Sequence, residues 1–376
     1  MPPKTASCRR WQAAAHGGAD ALELATVELP APSGRDIAIR VEATTATYTD
    51  LLVLRGSYMP RFSLPLTPGY DCVGVVTAVG EHVKALKPGD RVAAMPQHGC
   101  MAEVVILPEA ECVQIDGRVP ADKAVCVVLT GVTAYQLIHR ASGGRLSRER
   151  VNADTAVLVH GAAGGTGAML VELLKLAGVK RIFGTCSARN AGAVRSAGAV
   201  PLDYAAGEKD DGKRWDARVR AETGGRGVDV VFDAVVSGGY LARGTSCLAH
   251  GGKYVAYGFT RSDAPGAVDV PAVLADMTRL AAQQCLLSWI PGCGSNEAEF
   301  HPLAARRAAA PADFAADLAT LLSLVADGKL RPVVGRVWGF EQAADALRSI
   351  ERGEHRGKQV ITIGGGGVGL PGCAQS

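Results

Sequence analysis

The sequence predicts an α/β protein in which a β-rich segment precedes a doubly wound parallel sheet. Two observations lead to this prediction. In the first third of the 376-residue chain, short apolar runs are separated by Gly and Pro. From about Thr130, apolar runs typical of buried strands alternate with segments of helical periodicity. Alternating strands and helices form parallel sheets with right-handed crossovers, and a chain of this length is expected to contain more than one domain.

The first third is expected to form a small, strongly bent sheet or barrel. Residues Ile37–Ala43 alternate apolar and polar side chains, as a half-buried strand does. Further short strands are expected at Val73–Val79, Arg91–Ala94 and Glu103–Leu107.

The second part of the chain begins with a strand that is buried on both faces. Residues Ala156–His160 form a continuous apolar run, and apolar residues then recur at helical spacing from Gly167 to Ala177. Further strands are expected at Arg181–Cys186, Val200–Leu202, Val228–Asp233, Lys253–Gly258 and Cys285–Ile290.

The remainder of the chain combines an irregular segment with two further helices and strands. We expect Ser295–Ala312 to be an irregular surface excursion. The later elements are expected to be helices at Phe314–Ala326 and Phe340–Glu351 and strands at Val333–Val337 and Gln359–Ile363, before a frayed glycine-rich end.

Composition argues against several classes of function. The net charge is +3 with both signs mixed along the chain, and aromatic residues make up 5%, so neither nucleic acid nor an anionic membrane is expected as a partner. Ten cysteines contain no Cys-x-x-Cys pair, which argues against a zinc knuckle or a disulfide framework. No uninterrupted apolar run approaches the roughly 18 residues of a membrane span, so we expect a soluble, cytoplasmic protein.

The stretch His160–Gly167, HGAAGGTG, is a candidate dinucleotide-binding turn. It directly follows a predicted buried strand and opens a predicted helix, as a phosphate-binding unit requires. Glycines let the backbone approach a pyrophosphate, and the helix N-terminus attracts the anion. Ala162 departs from the usual first glycine of the motif, and a simple glycine-rich loop is the alternative in a chain with 46 glycines. The predicted cofactor-binding residues here are Ala163, Gly164, Gly165, Thr166 and Gly167.

The end of the second predicted strand favours NADPH over NADH. An acidic residue at this place would hold the ribose diol of NAD. The sequence Cys186–Asn190 contains no acid, whereas Ser187 and Arg189 suit a 2′-phosphate. Arg189 as an ordinary surface residue is the alternative.

The chain contains the four motifs VLVHGAAGGTG, PLTPGYDCVGVVTAVG, LKPGDRV and GKYVAYGF. Together they resemble the zinc-independent quinone oxidoreductases, the zeta-crystallin-like family of the medium-chain dehydrogenase/reductase superfamily. The resemblance implies a GroES-like catalytic domain over residues 1–130 and 291–376, a Rossmann NADPH-binding domain over 131–290, and a substrate cleft between them.

The resemblance also shows that the superfamily's zinc ligands are missing. Gly69-Tyr70-Asp71 stands where zinc enzymes have Gly-His-Glu, there is no cysteine near Thr47–Asp50, and the four-cysteine lobe is absent. We expect no metal site. Hydride transfer to a quinone or an α,β-unsaturated carbonyl needs no metal, because hydrogen bonds can stabilise the enolate before a side chain or water supplies a proton.

The resemblance implies three candidate catalytic residues. Thr47 lies where many relatives carry Asn, Tyr48 is the best proton donor by chemistry, and Tyr58 matches a tyrosine that lines the pocket in relatives. As alternatives, Tyr48 packs in an interface, Asp50 caps the helix DLLVLR, and Tyr58 is a tyrosine at the core edge.

Further cofactor-binding residues are implied in the same way. They are Thr130 and Thr133 at the nicotinamide and its ribose, Tyr204 near the 2′-phosphate, Gly258 and Phe259 at the carboxyl edge of the sheet, and Lys358. The alternatives are that Thr133 caps a helix, that Tyr204 only ends a strand and that Lys358 is a solvated lysine. We expect His160 to be structural.

The sequence thus favours an NADPH-dependent quinone or enone reductase that acts on a small molecule. An enoyl-thioester or secondary-metabolite pathway reductase of the same fold is one alternative. A non-catalytic NADPH-binding protein, like a lens crystallin or a vesicle protein of this family, is another. Because members of the superfamily commonly dimerise through the last Rossmann strand, we expect a homodimer formed through Cys285–Ile290.

Overall fold

The computed structural model describes residues 6–58, 61–206, 214–236, 239–258, 296–354 and 356–364, together with positions 275, 278 and 282. The chain divides into two compact units. The first comprises Met1–Val132 and Ala310–Ser376, and the second comprises Thr133–Ala309. The second unit therefore extends beyond residue 290, where the sequence analysis ends the second domain.

The first unit is built around a mainly antiparallel sheet of seven strands: six follow the order β14-β15-β3-β4-β5-β7, and the seventh, β6, pairs with β3. These strands are β3 (Asp36–Ala46), β4 (Cys72–Val79), β5 (Arg91–Ala94), β6 (Val104–Pro108), β7 (Cys112–Gln114), β14 (Val334–Gly339) and β15 (Lys358–Thr362). A separate hairpin joins β1 (Ala6–Ala13) to β2 (Leu22–Leu29). The helices are α1 (Tyr48–Leu54), α2 (Ala121–Cys126), α9 (Pro311–Ala326) and α10 (Ala343–Glu351).

Strand β3 organises this unit because it pairs antiparallel with β4, β6 and β15. Most of its residues are consequently buried, whereas Arg40 and Glu42, at the polar positions of the alternating pattern, are half-buried. The hairpin of β1 and β2 was not predicted, because Glu and Thr side chains interrupt the apolar residues of β2.

The second unit is a parallel sheet of six strands in the order β10-β9-β8-β11-β12-β13. Its strands are β8 (Ala156–Val159), β9 (Arg181–Cys186), β10 (Val200–Asp203), β11 (Val228–Asp233), β12 (Leu248–Ala256) and β13 (Glu297–Phe300). Its helices are α3 (Val132–Gln136), α4 (Gly165–Leu176), α5 (Ala191–Ser196), α6 (Trp215–Glu222), α7 (Tyr240–Ser246) and α8 (Leu303–Ala309). The predicted doubly wound sheet is confirmed, and β8 is buried along its whole length.

The expectation of an irregular excursion at Ser295–Ala312 is wrong. Residues Glu297–Phe300 form β13, which pairs parallel with β12, and α8 follows directly. The strand was not predicted because its alternating Glu residues are typical of a solvated segment. In the structure these carboxylates are paired with a lysine: Lys253 Nζ lies 2.8 Å from Glu299 and 3.4 Å from Glu297. The predicted strand Cys285–Ile290 lies outside the described residues.

One helical run among the described residues, Ala121–Ala141, is long and apolar enough to cross a membrane, and 72% of its most apolar window is buried in the structure. Core helices of soluble proteins meet the same criteria. A second candidate arises only if α8 and α9 are taken together across the break between them.

Candidate functional site

The glycine turn of the second unit joins the buried strand β8 to α4. Helix α4 begins at Gly165 after the extended N-cap residue Gly164, and no side chain caps it. The N–H group of Gly164 donates to Gly161 O over 2.9 Å, so the turn folds back on itself before the helix starts. The first N–H groups of a helix have no partner within the helix. The turn therefore offers these groups and the positive end of the helix dipole to an anion.

Gly167 lets the helix lie directly on the turn. A Cβ atom at this position would lie 2.2 Å from Gly161 O and 2.8 Å from Ala162 Cα, which no side chain can satisfy without moving the backbone. The left-handed conformation in the turn falls on Gly161, with φ +68°. This placement explains why the motif tolerates Ala162, whose N–H group donates to Thr185 O.

The end of β9 fixes the turn and presents candidate groups for a cofactor. The Thr185 hydroxyl accepts from Gly161 N over 3.1 Å. Ser187 Oγ is buried and has no hydrogen-bond partner among the described residues. Arg189 is exposed, and the Tyr204 side chain is 38% exposed. A buried hydroxyl without a partner, two positions before an exposed arginine in the sequence, fits a phosphate or ribose group.

Asp203 is a residue that the sequence analysis missed at this place. It ends β10 and lies opposite Cys186 in the strand register. The Asp203 carboxylate accepts from Ala205 N over 3.0 Å and contributes to raising the pKa of the Cys186 thiol, for which burial is the main cause. The sequence pattern did not point to Asp203, because an acid that holds a ribose diol is expected at the end of the second strand and Asp203 ends the third. A carboxylate at this place would oppose a 2′-phosphate and favour a ribose diol, whereas Arg189 would favour the phosphate.

The other carboxyl ends of the sheet are closely packed. Gly258 follows β12, and a Cβ atom there would meet Ala234 O at 3.6 Å. At the end of β11, the Asp233 carboxylate accepts from Val235 N and from the Tyr254 hydroxyl. Phe259 lies outside the described residues.

His160 lies in an aromatic box next to the glycine turn. Its buried ring packs edge to face with the rings of Trp215 and Tyr240, and the ring centroids are 4.8 Å apart in both pairs. Its Nδ1 atom lies 3.2 Å from Thr185 Oγ1, while Nε2 has no hydrogen-bond partner in the described part of the chain. Burial lowers the pKa of His160 and favours the neutral ring. This environment is that of a packing residue, as the sequence analysis interprets it.

In the first unit, Thr47 caps α1. The Thr47 hydroxyl donates to Asp50 Oδ2 over 2.6 Å and accepts from Asp50 N, while Thr47 N donates to the same carboxylate. The expected capping by Asp50 is present as half of a capping box, but α1 starts at Tyr48, earlier than DLLVLR. A catalytic role for Thr47 stays a prediction. The hydroxyl group that would perform this role already donates a hydrogen bond to Asp50.

Asp50 is a fully buried carboxyl group. Burial raises its pKa to about 6, although hydrogen bonds from Thr47 and Gly69 favour the ionised form. The second of these comes from Gly69 N over 2.8 Å.

Lys358 lies beside a second buried carboxylate. Its Nζ atom donates to Thr45 Oγ1 over 2.9 Å and is 3.6 Å from Asp71 Oδ2, and the Lys358 and Asp71 side chains are 4% and 0% exposed. Thr45 Oγ1 in turn donates to Asp71 Oδ1 over 2.5 Å. The interpretation of Lys358 as a solvated lysine is therefore wrong. The contact of Lys358 with NADPH stays a prediction. The ammonium group that would make this contact is already paired with Asp71.

The two threonines expected at the nicotinamide are both buried. The Thr130 hydroxyl donates to Cys126 O over 2.7 Å, within its own helical segment. Thr133 lies inside α3 and not before it, so its interpretation as a helix cap is wrong. Contact of either threonine with a cofactor stays a prediction.

The candidate tyrosines of the first unit differ in their hydroxyl partners. Tyr48 and Tyr58 are half-buried, and burial raises the pKa of both. The Tyr58 and Tyr70 hydroxyl oxygens are 2.7 Å apart. The sequence analysis noted Tyr70 only as a missing zinc ligand, although a tyrosine at that place was itself a signal.

The residues at the superfamily's catalytic zinc position do not fit a zinc ion. Tyr70 contacts another tyrosine, and Asp71 is paired with Lys358. Among the described residues, no group of three or more His, Cys, Asp or Glu side chains is arranged to hold a metal.

Comparison with known proteins agrees with this architecture. Residues 33–117 match the alcohol dehydrogenase GroES-like domain family, and residues 204–361 match the zinc-binding dehydrogenase family. The human synaptic vesicle membrane protein VAT-1 homolog is 27% identical over 360 residues, which cover 93% of this chain and 84% of the relative. A chloroplast envelope quinone oxidoreductase homolog from Arabidopsis thaliana is 34% identical over 220 residues, covering 55% and 66%.

Two solved structures share the fold at 26% identity and a TM-score of 0.76, each covering 94% of this chain and 99% of the other. One is a quinone oxidoreductase from Pseudomonas syringae, and the other is a mycobacterial protein complexed with NADPH. The GroES-like unit and the doubly wound sheet define a medium-chain dehydrogenase/reductase, which is an oxidoreductase. Within that superfamily, the chain is similar to quinone oxidoreductases.

Proposed function

We propose that this protein transfers hydride from NADPH to a quinone or an α,β-unsaturated carbonyl without zinc. The observation that carries the proposal is the start of α4, where an uncapped helix N-terminus follows a turn that only Gly167 can close. The NADPH complex of the mycobacterial relative supports the choice of cofactor.

The residues of the second unit would hold the cofactor in two places. The N–H groups of Gly165, Thr166 and Gly167 suit the pyrophosphate, because they begin an uncapped helix. Ser187 and Arg189 suit the 2′-phosphate, with Tyr204 as an exposed aromatic neighbour at the end of the next strand. Bound NADPH supplies the hydride. We propose Ala163, Gly164, Thr130, Thr133, Gly258, Phe259 and Lys358 as further cofactor contacts.

The choice of acceptor follows from the chemistry that remains without a metal. Quinones and enones accept hydride directly, whereas oxidation of an alcohol relies on a Lewis acid in the zinc enzymes. Tyr48 and Tyr58 are the phenols that would stabilise the negative oxygen and supply a proton. The names of the Arabidopsis and Pseudomonas relatives support a quinone acceptor.

The first test is fluorescence titration of the protein with NADPH and NADH, followed by NADPH consumption with benzoquinone, phenanthrenequinone, a simple enone and an enoyl thioester. We expect tighter binding of NADPH and turnover of a quinone or the enone. Turnover confined to the thioester would instead indicate a pathway-specific reductase. Failure of both nucleotides to bind would contradict the interpretation of the glycine turn.

Arg189→Ala tests the preference for NADPH. We expect its affinity for NADPH to fall by about tenfold, since one charge-assisted hydrogen bond is lost, while its affinity for NADH stays unchanged. Arg218→Ala is the matched control, because Arg218 is an exposed arginine of the same unit that pairs with Glu222. If Asp203 dominates the site, the wild type will prefer NADH, and Arg189→Ala will have no effect.

A non-catalytic NADPH-binding protein is the second candidate. Two observations favour it: a relative matched over most of its length is named a synaptic vesicle membrane protein, and Thr47 caps a helix where many reductases carry Asn. NADPH binding without oxidation against the acceptor panel would support it. We also propose a cytoplasmic homodimer, and light scattering that shows a monomer at micromolar concentration would contradict the dimer.

A further inference from the structure

Tyr58 and Tyr70, here called the tyrosine pair, form a short hydroxyl contact inside the first unit. Their oxygens are 2.7 Å apart, and their rings meet edge to face at 86° with centroids 6.1 Å apart. Tyr70 is 2% exposed, whereas Tyr58 is half-buried. The pair therefore connects the hydroxyl of a buried ring to the hydroxyl of a half-buried one.

The backbone around Tyr70 leaves it little freedom. The preceding residue, Gly69, has φ +101°, and a Cβ atom there would lie 2.4 Å from Met101 N. Gly69 N donates to the buried Asp50 carboxylate, and Tyr70 O accepts from Gln97 N over 3.1 Å. The buried ring is thus held by constraints on both sides of the peptide.

The Tyr58 ring is held by a second set of contacts. It stacks on Phe62 with the ring planes 11° apart and the centroids 6.3 Å apart, and His98 lies against Phe62 at 4.4 Å. Just before it in the chain, Ser57 N donates to Leu52 O, which ties this segment to α1. Both hydroxyls of the pair are therefore positioned before any acceptor binds.

When one of two neighbouring phenols loses its proton, the other can stabilise the resulting phenolate by donating a hydrogen bond to it. A phenolate on Tyr58 would accept a hydrogen bond from the Tyr70 hydroxyl, and a hydrogen bond to a charged group is among the strong ones in proteins. Burial raises the pKa of Tyr58, and the hydrogen bond from Tyr70 lowers it. Tyr70 therefore makes its neighbour a better acid than burial alone allows.

We propose that Tyr70 is a positioning residue that orients the Tyr58 hydroxyl and shares the charge left when Tyr58 protonates the reduced acceptor. This inference rests on the proposed reductase function. After hydride has reached the acceptor, the acceptor carries a negative charge as an enolate or a hydroquinone anion. The O–H bond of Tyr58 breaks and its proton passes to that anion. The phenolate remains hydrogen-bonded to Tyr70, and water then returns a proton to Tyr58.

The direct test needs no turnover. Tyrosines labelled at Cζ are followed by NMR as the pH is raised, and Tyr58→Phe assigns the Tyr58 signal by its loss. We expect Tyr70→Phe to raise the pKa of Tyr58, because the phenolate loses its hydrogen bond. Tyr135→Phe is the matched control, since it removes a phenol hydroxyl from a tyrosine of the second unit, whose ring lies 4.2 Å from that of His139. An unchanged Tyr58 titration in Tyr70→Phe would overturn the positioning role.

The second test measures NADPH-dependent turnover of the best acceptor against pH. We expect Tyr58→Phe to lose about a hundredfold in kcat and Tyr70→Phe to lose about tenfold. In Tyr70→Phe the limb at high pH should also move to higher pH, which a merely structural defect would not cause. Full activity in Tyr58→Phe together with a large loss in Tyr48→Phe would assign the proton to Tyr48 and overturn the inference while leaving the reductase function intact. Absence of turnover with every acceptor in the wild type would overturn the reductase function and the proton transfer together, while the NMR titration would still decide whether Tyr70 acts on Tyr58.

Discussion

The buried ion pair of the first unit allows a prediction of large magnitude. Lys358→Met would leave the Asp71 carboxylate, which is 0% exposed, without its cation. Opposite charges 3.6 Å apart attract by about 4–5 kcal/mol at an effective dielectric constant of about 20. Removing one partner of a buried pair typically costs about 3–5 kcal/mol, since the other charge stays buried and uncompensated. We therefore expect the free energy of unfolding to fall by about 3–5 kcal/mol.

Urea denaturation followed by circular dichroism measures this loss. Lys329→Met is the matched control, because Lys329 pairs with Asp327 over 3.0 Å with both side chains well exposed. The control should lose less than about 1 kcal/mol, as exposed ion pairs do. The double variant Lys358→Met/Asp71→Asn should be more stable than Lys358→Met alone, since it no longer buries an unpaired charge. Equal losses in Lys358→Met and Lys329→Met would refute the reasoning.

Three further predictions concern Gly167 in the glycine turn, Gly192 in α5 and the pH dependence of stability. Gly167→Ala should abolish nucleotide binding in a titration and destabilise the fold by about 1–3 kcal/mol, because its Cβ would lie 2.2 Å from Gly161 O. Gly192→Ala in α5 should be neutral or stabilising by up to about 1 kcal/mol, because a Cβ there meets no atom within 4 Å; a comparable loss in both variants would contradict the steric argument. Burial raises the pKa of Asp50 from 3.8 to about 6, so the folded state holds this proton more tightly than the unfolded state. Protonated Asp50 therefore contributes to the free energy of unfolding. This contribution is fully present below the pKa of Asp50 in the unfolded state, and about 3 kcal/mol is lost as the pH rises through its pKa in the folded state. Denaturation series between about pH 4 and pH 6 should show that the free energy of unfolding falls less steeply with pH in Asp50→Asn than in the wild type. An equal slope in both proteins would contradict the raised pKa of Asp50.

Local patterns were sufficient where neighbouring residues determine the structure. The strands Arg91–Ala94, Arg181–Cys186 and Val228–Asp233 have the bounds that the apolar runs predict. The glycine turn was equally readable, since its strand, turn and helix are contiguous in the chain. Strand β13 was missed because its alternating Glu residues suggest a solvated segment, and the lysine that neutralises them lies in another strand.

The sequence by itself determined the doubly wound sheet and the glycine turn between β8 and α4, because both follow from contiguous strand and helix patterns. Only the tertiary structure decided the environment of the candidate side chains. Lys358 and its hydrogen-bond partner Thr45 are 313 positions apart, and Tyr58 meets Tyr70 only after the chain has returned from α1 to the edge of β4. The protonation and burial of such groups depend on which distant elements pack together, and the periodicity of a single segment carries no information about that.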